Sequence, residues 1–209
     1  MKRIAAIIVS AIAVIFSASS CKEDREKIET MMSGYMTGYT DSEGYFTVIN
    51  DDMGNQYMVS ERDKKHQPDT LLRVVATIAL DERNTARIIQ CVFPIANRAR
   101  EESSLHDTLK KADPIEIQSL YIGGGFLNVN LGIRVQTEGT KHKIVYSYSD
   151  DSDKLRFTIY HNAHDDKPVY TKKAYLSIPL SGYGLNKNDT VFLNCKGYEE
   201  DYEYKLIYK

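Results

Sequence analysis

The chain has 209 residues, 15 of them tyrosine and none tryptophan, with 27 basic and 29 acidic side chains and a formal charge of −2. It carries no basic block, which excludes a nucleic-acid partner on electrostatic grounds. Gly (12) and Pro (5) are sparse and 27% of residues are charged, which excludes a chain disordered along its length.

Lys2 and Arg3 precede a thirteen-residue apolar run, Ile4 to Phe16, broken only by Ser10. That length suits the core of an export signal and falls short of the roughly 20 residues that span a bilayer. Ala18, Ser19 and Ser20 then lead into Cys21, a pattern that resembles a lipobox. The chemistry asks for cysteine there, because only a thiol is nucleophilic enough to take a diacylglyceryl group as a thioether. Residues 1–20 therefore read as a removable lipoprotein signal peptide, and Cys21 as the lipidated residue; the alternative is an ordinary signal peptide with an incidental cysteine. Removal of residues 1–20 takes Lys2 and Arg3 with it and leaves a formal charge of −4 over 189 residues. Two acyl chains would hold the remainder stably at a membrane, expected here to be the outer membrane. Residues 21–29 form a charged tether. Its Lys22-Glu23-Asp24 resembles a surface-export signal, against the plainer reading of a periplasm-facing spacer.

Beyond the tether the apolar period is 2 almost throughout, so the chain is expected to be all-β. Residues 30–111 contain five strand-like runs, at 32–40, 43–49, 56–60, 71–80 and 85–93, with turn formers such as Asn50, Asp51, Asp52 and Gly54 between them. Five strands in about 80 residues fit an OB-like β-barrel. Leu72, Val74, Ala76, Ile78 and Leu80 share one face, and Ile89, Cys91 and Phe93 another. Residues 97–113 are polar, either weakly helical or a linker, and Pro114 starts an extended run.

Residues 112–209 are expected to form a β-sandwich. A long stretch from Ile115 to Val135 is interrupted by Gly123, Gly124 and Gly125, read as a bulge or sharp bend. Further strands follow at 142–149, 155–161, 174–180, 190–196 and 202–208. Cys195 lies in phase with Val191 and Leu193, so it and Cys91 read as small buried hydrophobes; a disulfide between them is the alternative that an exported chain permits.

The second region also carries a family resemblance. DPIEIQSLYIGGGFLNVNLG (113–132), the strand KHKIVYSYSDD (141–151), LRFTIYHNAHDDKPVY (155–170) and AYLSIPL (174–180) resemble the NigD-like lipoproteins of Gram-negative gut and oral anaerobes. The most specific pieces are Gly124, Gly125, Phe126, Leu127 and Asn128, and His161, Asn162 and Ala163. A tryptophan common just before the glycines is replaced here by Leu120 and Tyr121. The resemblance implies an N-terminal OB-like domain and a C-terminal β-sandwich behind a lipoprotein signal. It implies no reaction and no cofactor; the founding member lies beside a bacteriocin gene and has been proposed as an immunity protein.

The residues agree in offering no catalytic constellation. His161 and His164 are three apart at a strand end rather than four apart on a helix with a glutamate between, as zinc hydrolases place them. His161 is in phase with Leu155, Phe157 and Ile159 and is expected to hydrogen-bond buried backbone, a metal site being the alternative. Gly123–Gly125 lacks the Lys-Ser/Thr and helix of a phosphate cradle, so backbone curvature is expected, with Asn128 bonded to a neighbouring loop. The SDDSD segment lacks the glycine and terminal glutamate of an EF-hand. Tyr35 and Tyr39 share one strand face, and Tyr202, Tyr204 and Tyr208 another; such tyrosines serve as recognition surfaces or as partly buried core. The expected function is a non-enzymatic, membrane-tethered binding module with a protein partner. A carbohydrate-binding or adhesion accessory is the alternative.

Overall fold

The computed structural model describes residues 29–136, 141–151 and 154–209. Cys21, the signal segment and most of the tether lie outside these residues, as does part of the SDDSD segment. Thirteen strands account for nearly all regular structure: β1 Thr30–Thr40, β2 Phe46–Asp51, β3 Gln56–Val59, β4 Leu71–Leu80, β5 Thr85–Val92, β6 Arg100–Glu101, β7 Glu116–Gly123, β8 Phe126–Val135, β9 Lys143–Asp151, β10 Lys154–Asn162, β11 Tyr170–Pro179, β12 Thr190–Lys196 and β13 Asp201–Ile207. No helix among the described residues is long and apolar enough to cross a membrane.

Strands β1 to β5 close into a barrel in the order β1-β2-β3-β5-β4, with β4 returning to β1 and β3 running parallel to β5. This is the expected OB-like domain. Its core is Met36, Phe46, Ile49, Tyr57, Val74, Ala76, Ile78, Leu80 and Ala86, so the β4 face read from alternation is the inward one. The β5 face is not. Ile78 pairs with Ile88 and Thr77 with Gln90, so Ile89 is bulged out of the ladder. The extra residue shifts the phase, so Ile89 is exposed while Cys91 packs on the barrel core; Phe93, also exposed, lies beyond the end of β5 at Val92.

The remaining strands form a sandwich of a five-stranded sheet, β13-β12-β10-β9-β6, and a three-stranded sheet, β11-β8-β7. Leu127, Val129, Leu131, Phe157, Leu176, Ile178, Val191 and Leu193 are fully buried between the sheets. The glycine run expected to be a bulge or bend is a hairpin turn. Gly124 (φ 60°) and Gly125 (φ 83°) are the two central residues joining β7 to β8, and the left-handed backbone at both is what a tight turn matched to strand twist requires. Residues 97–113 hold two single-turn 3-10 helices, Glu102–Ser104 and Asp107–Leu109, the weak helicity expected there, but the segment is not a free linker. Ile95 bridges to Leu176 of β11, and Arg100–Glu101 pair with Ser147–Tyr148 of β9, so the segment straps one side of the sandwich. Ala99 and Ile115 belong to the sandwich core, which places the domain boundary nearer Pro94 than the expected position between residues 111 and 112.

Cys91 and Cys195 are both free thiols, in different domains. Burial pushes each up to about 11, so neither is a ready nucleophile.

Candidate functional site

The densest polar constellation joins the two domains. Alternation along β4 points Arg73 away from the barrel core and toward the sandwich, where its side chain is only 5% exposed. Its Nε donates to Ser177 Oγ (2.9 Å), Nη1 to Thr37 Oγ1 (3.1 Å), and Nη2 to Asn128 Oδ1 (3.0 Å) and Asp52 Oδ2 (2.8 Å). Asp52 Oδ1 lies 2.7 Å from Nη1, a close ion contact that adds charge attraction to the Nη2–Oδ2 hydrogen bond without a second hydrogen bond of its own. The ring of Phe126 lies under the guanidinium, 4.2 Å from centroid to Cζ.

The family motif supplies the sandwich side of this clasp. Asn128, fully buried, donates from Nδ2 to Asp52 Oδ2 (2.8 Å) and accepts at Oδ1 from Ser177 (2.6 Å). Asp52 is in the turn between β2 and β3, so the loop that Asn128 was expected to bond is a barrel loop. The Gly124 N–H donates to the Asp52 carbonyl (3.2 Å), and a Cβ on Gly124 would run into the Asp52 carboxylate. Leu127 is sandwich core. The five motif residues therefore build a turn, a cation platform, a core anchor and an amide that recognises the barrel. They form a structural joint between the sandwich and the barrel.

Tyr35 belongs to the same joint. It is 4% exposed, and its hydroxyl reaches Val129 O and Asn130 Oδ1, each at 2.8 Å. Its ring meets Tyr121 and Tyr175 edge-on at 6.1 and 6.3 Å. The surface expected to pair Tyr35 with Tyr39 is therefore corrected: the face is the outer one, as alternation indicated, but the sandwich covers its Tyr35 end. Tyr39 remains 44% exposed. Tyr202, Tyr204 and Tyr208 are half-buried and pack on the sandwich core with Leu206. They are the inward face of an edge strand rather than a projecting aromatic platform.

His161 is 2% exposed, but its partner is not His164, which is exposed at the turn with φ 51°. Its Nε2 is 2.8 Å from Nδ1 of His142, and the rings stack at 5.0 Å. Nε2 of His142 is in turn 3.1 Å from Asp166 Oδ2. With His142 donating to the carboxylate, its Nδ1 accepts from His161, and the buried Nδ1 of His161 has no hydrogen-bond partner. The His161 carbonyl accepts from Asp113 N (2.8 Å), and Asp113 Oδ2 accepts from Ala163 N (2.7 Å). Asn162 Oδ1 caps the turn by accepting from His164 N (2.9 Å). The His-Asn-Ala motif thus ends β10 and ties it to the strap. The two rings point their nitrogens at each other, and no group of three metal-capable side chains occurs among the described residues.

This arrangement carries a pH dependence. Burial, and next the neighbouring His142, hold the His161 pKa below its ordinary 6.5, against a smaller opposing effect of the Pro114 and Asp113 backbone. The unfolded chain then binds a proton that the folded chain refuses, so stability is complete above about pH 6.5 and falls as pH drops below it. The slope should approach about 1.4 kcal/mol per pH unit while only the unfolded form is charged. Asp41, Asp51, Asp81 and Glu102, whose carboxyls are held low, start from 3.8 or 4.5 and titrate below this window. Urea midpoints between pH 7.5 and 5.5 should fall more steeply for the parent than for His161→Asn; parallel profiles would refute the assignment.

The fold recurs in solved structures. A NigD-like immunity protein from Bacteroides caccae superposes with a TM-score of 0.72 at 20% identity, over 85% of this chain and 97% of its own. A protein from Parabacteroides distasonis, provisionally described as toxin-related, gives 0.70 at 20% identity over 86% and 94%. A protein from Bacteroides fragilis, provisionally described as a lipoprotein, gives 0.64 at 11% identity over 86% and 98%. No curated protein sequence matches. The NigD-like C-terminal β-sandwich domain matches residues 97–208, strap and sandwich together. With more than half of its length so matched, and the motif residues of that sandwich forming its joint with the barrel, the chain belongs to the NigD-like family.

Proposed function

We propose that this protein is a non-catalytic, immunity-like binding module, held at the outer membrane by lipid on Cys21, whose barrel engages a protein partner. One observation carries this reading. Tyr39 of β1 pairs with Leu71 of β4 and with Val48 of β2, and Val48 pairs with Met58 of β3. Directly paired residues share a face, so Leu71, Tyr39, Val48 and Met58 make one apolar row across four strands on the outside of the barrel. Leu71 is 67% exposed and Met58 58%. A contiguous apolar patch on a soluble domain marks a surface that is covered in use. The clasp adds a rigid mount, and the similar immunity protein from Bacteroides caccae lends the fold.

Deleting the gene should sensitise the cell to a bacteriocin encoded beside it, and the parent protein should restore resistance. A Leu71→Asp/Met58→Asp variant should fold with unchanged Tm yet bind that toxin at least about 30-fold more weakly, as loss of a central contact worth about 2 kcal/mol implies. Unchanged sensitivity on deletion would remove the immunity role, and full binding by the variant would remove the barrel surface.

A further inference from the structure

On the strap side of the sandwich a recess of about 170 Å³ lies between segment 95–109 and strand β9. Three cationic side chains line it, Arg98, Arg100 and Lys143, with no acidic residue among its walls. None of the three forms an ion pair with a carboxylate among the described residues. Arg98 is held in place by the Gly182 carbonyl (3.3 Å) and by the Tyr183 ring, 5.3 Å from its Cζ. Glu102 of the strap is occupied elsewhere by Ser147, Tyr160 and Lys110. The remaining wall is an unfinished strand edge: β6 covers β9 only at Ser147 and Tyr148, so Lys143–Tyr146 have a strand partner on the β10 side alone. The Tyr146 hydroxyl, bonded to Asn97 O, closes the base.

A free strand edge offers alternating N–H and C=O groups that an added strand satisfies, and uncompensated cations favour carboxylates beside it. We infer that this recess takes an extended acidic segment of a partner protein. The segment pairs its backbone with β9 at Lys143–Tyr146 and sets carboxylates against Arg98, Arg100 and Lys143. Backbone pairing favours a peptide over an anionic lipid, whose headgroup supplies charge but no strand. The site is separate from the apolar row of the barrel and does not depend on it.

The probe is a fluorescent peptide of alternating glutamate and valine, titrated by anisotropy against the purified protein at low salt. The peptide should bind, its alternating lysine counterpart should not, and backbone N-methylation should weaken binding about tenfold or more. Arg100→Glu/Lys143→Glu should weaken it similarly with unchanged Tm, whereas Leu71→Asp/Met58→Asp should leave it as it is, which keeps this test distinct from that of the barrel surface. The proposal is overturned by absence of binding, by equal binding of the charge-reversed variant, or by indifference to N-methylation. Sedimentation with phosphatidylglycerol vesicles through the same residues, without peptide binding, would assign the recess to a membrane instead.

Discussion

Arg73→Met is expected to lower the unfolding free energy by about 3–5 kcal/mol, the range for removing one partner of a buried ion pair. The cost comes less from lost attraction than from what remains. Asp52 is 10% exposed, and without the guanidinium its carboxylate keeps only the neutral donors Tyr121 Oη at 3.0 Å and Asn128 Nδ2 at 2.8 Å. Ser177 Oγ and Asn128 Oδ1 lose a charged donor at the same time. Lysine should not rescue the site, since a point charge on a flexible stem cannot reach Ser177, Asn128, Thr37 and both Asp52 oxygens together. Arg73→Met/Asp52→Asn should be markedly less destabilised than Arg73→Met alone, because the stranded charge is gone. Urea unfolding of the three variants measures the set. An Arg73→Met protein within about 1 kcal/mol of the parent would mean the clasp is a contact without consequence.

The fold was legible in the chain because period-2 alternation reports which side of a strand is apolar, and most strands here are apolar on one side only. Alternation says nothing about what covers the other side. Alternation put Leu72, Val74, Ala76, Ile78 and Leu80 on one face of β4 and Tyr35 with Tyr39 on one face of β1, and both groupings hold in the barrel. The sandwich docks on the other side of β4 through residues 55 to 104 positions away from Arg73, a separation no local pattern records. Asn128 was legible as an amide bonded to a loop, but not whose loop. His161 was legible as buried, while its partner His142, 19 positions away just before the neighbouring strand β9, was hidden behind the nearer and irrelevant His164. Ile89 failed for a different reason: a single bulged residue inverts the phase of everything beyond it, and the composition of β5 does not mark where the bulge falls. The apolar row on the barrel needed the strand register, since Leu71, Tyr39, Val48 and Met58 come from four strands.

If the clasp makes one mechanical body of the two domains, damage to either core should be felt by both. Phe157 tests this. It is fully buried in β10, at the centre of the sandwich and edge-on to Tyr183 at 5.5 Å, and it touches no part of the barrel core. Phe157→Ala should cost about 3–5 kcal/mol from lost burial and the cavity left behind. In the otherwise intact protein that loss should appear in the hydrogen-exchange protection of barrel amides such as Val74 and Ile78 as well as in β10 and β12, because the barrel cannot keep Arg73 buried once the sandwich has opened. In an Arg73→Met/Asp52→Asn background the same substitution should depress protection in the sandwich while the barrel amides hold theirs, since nothing charged then binds one domain's stability to the other's. Equal protection of the barrel amides with and without Phe157→Ala in the intact protein would show that the domains open independently. The family motif at Gly124–Asn128 would then shape the β7–β8 hairpin without coupling the sandwich to the barrel.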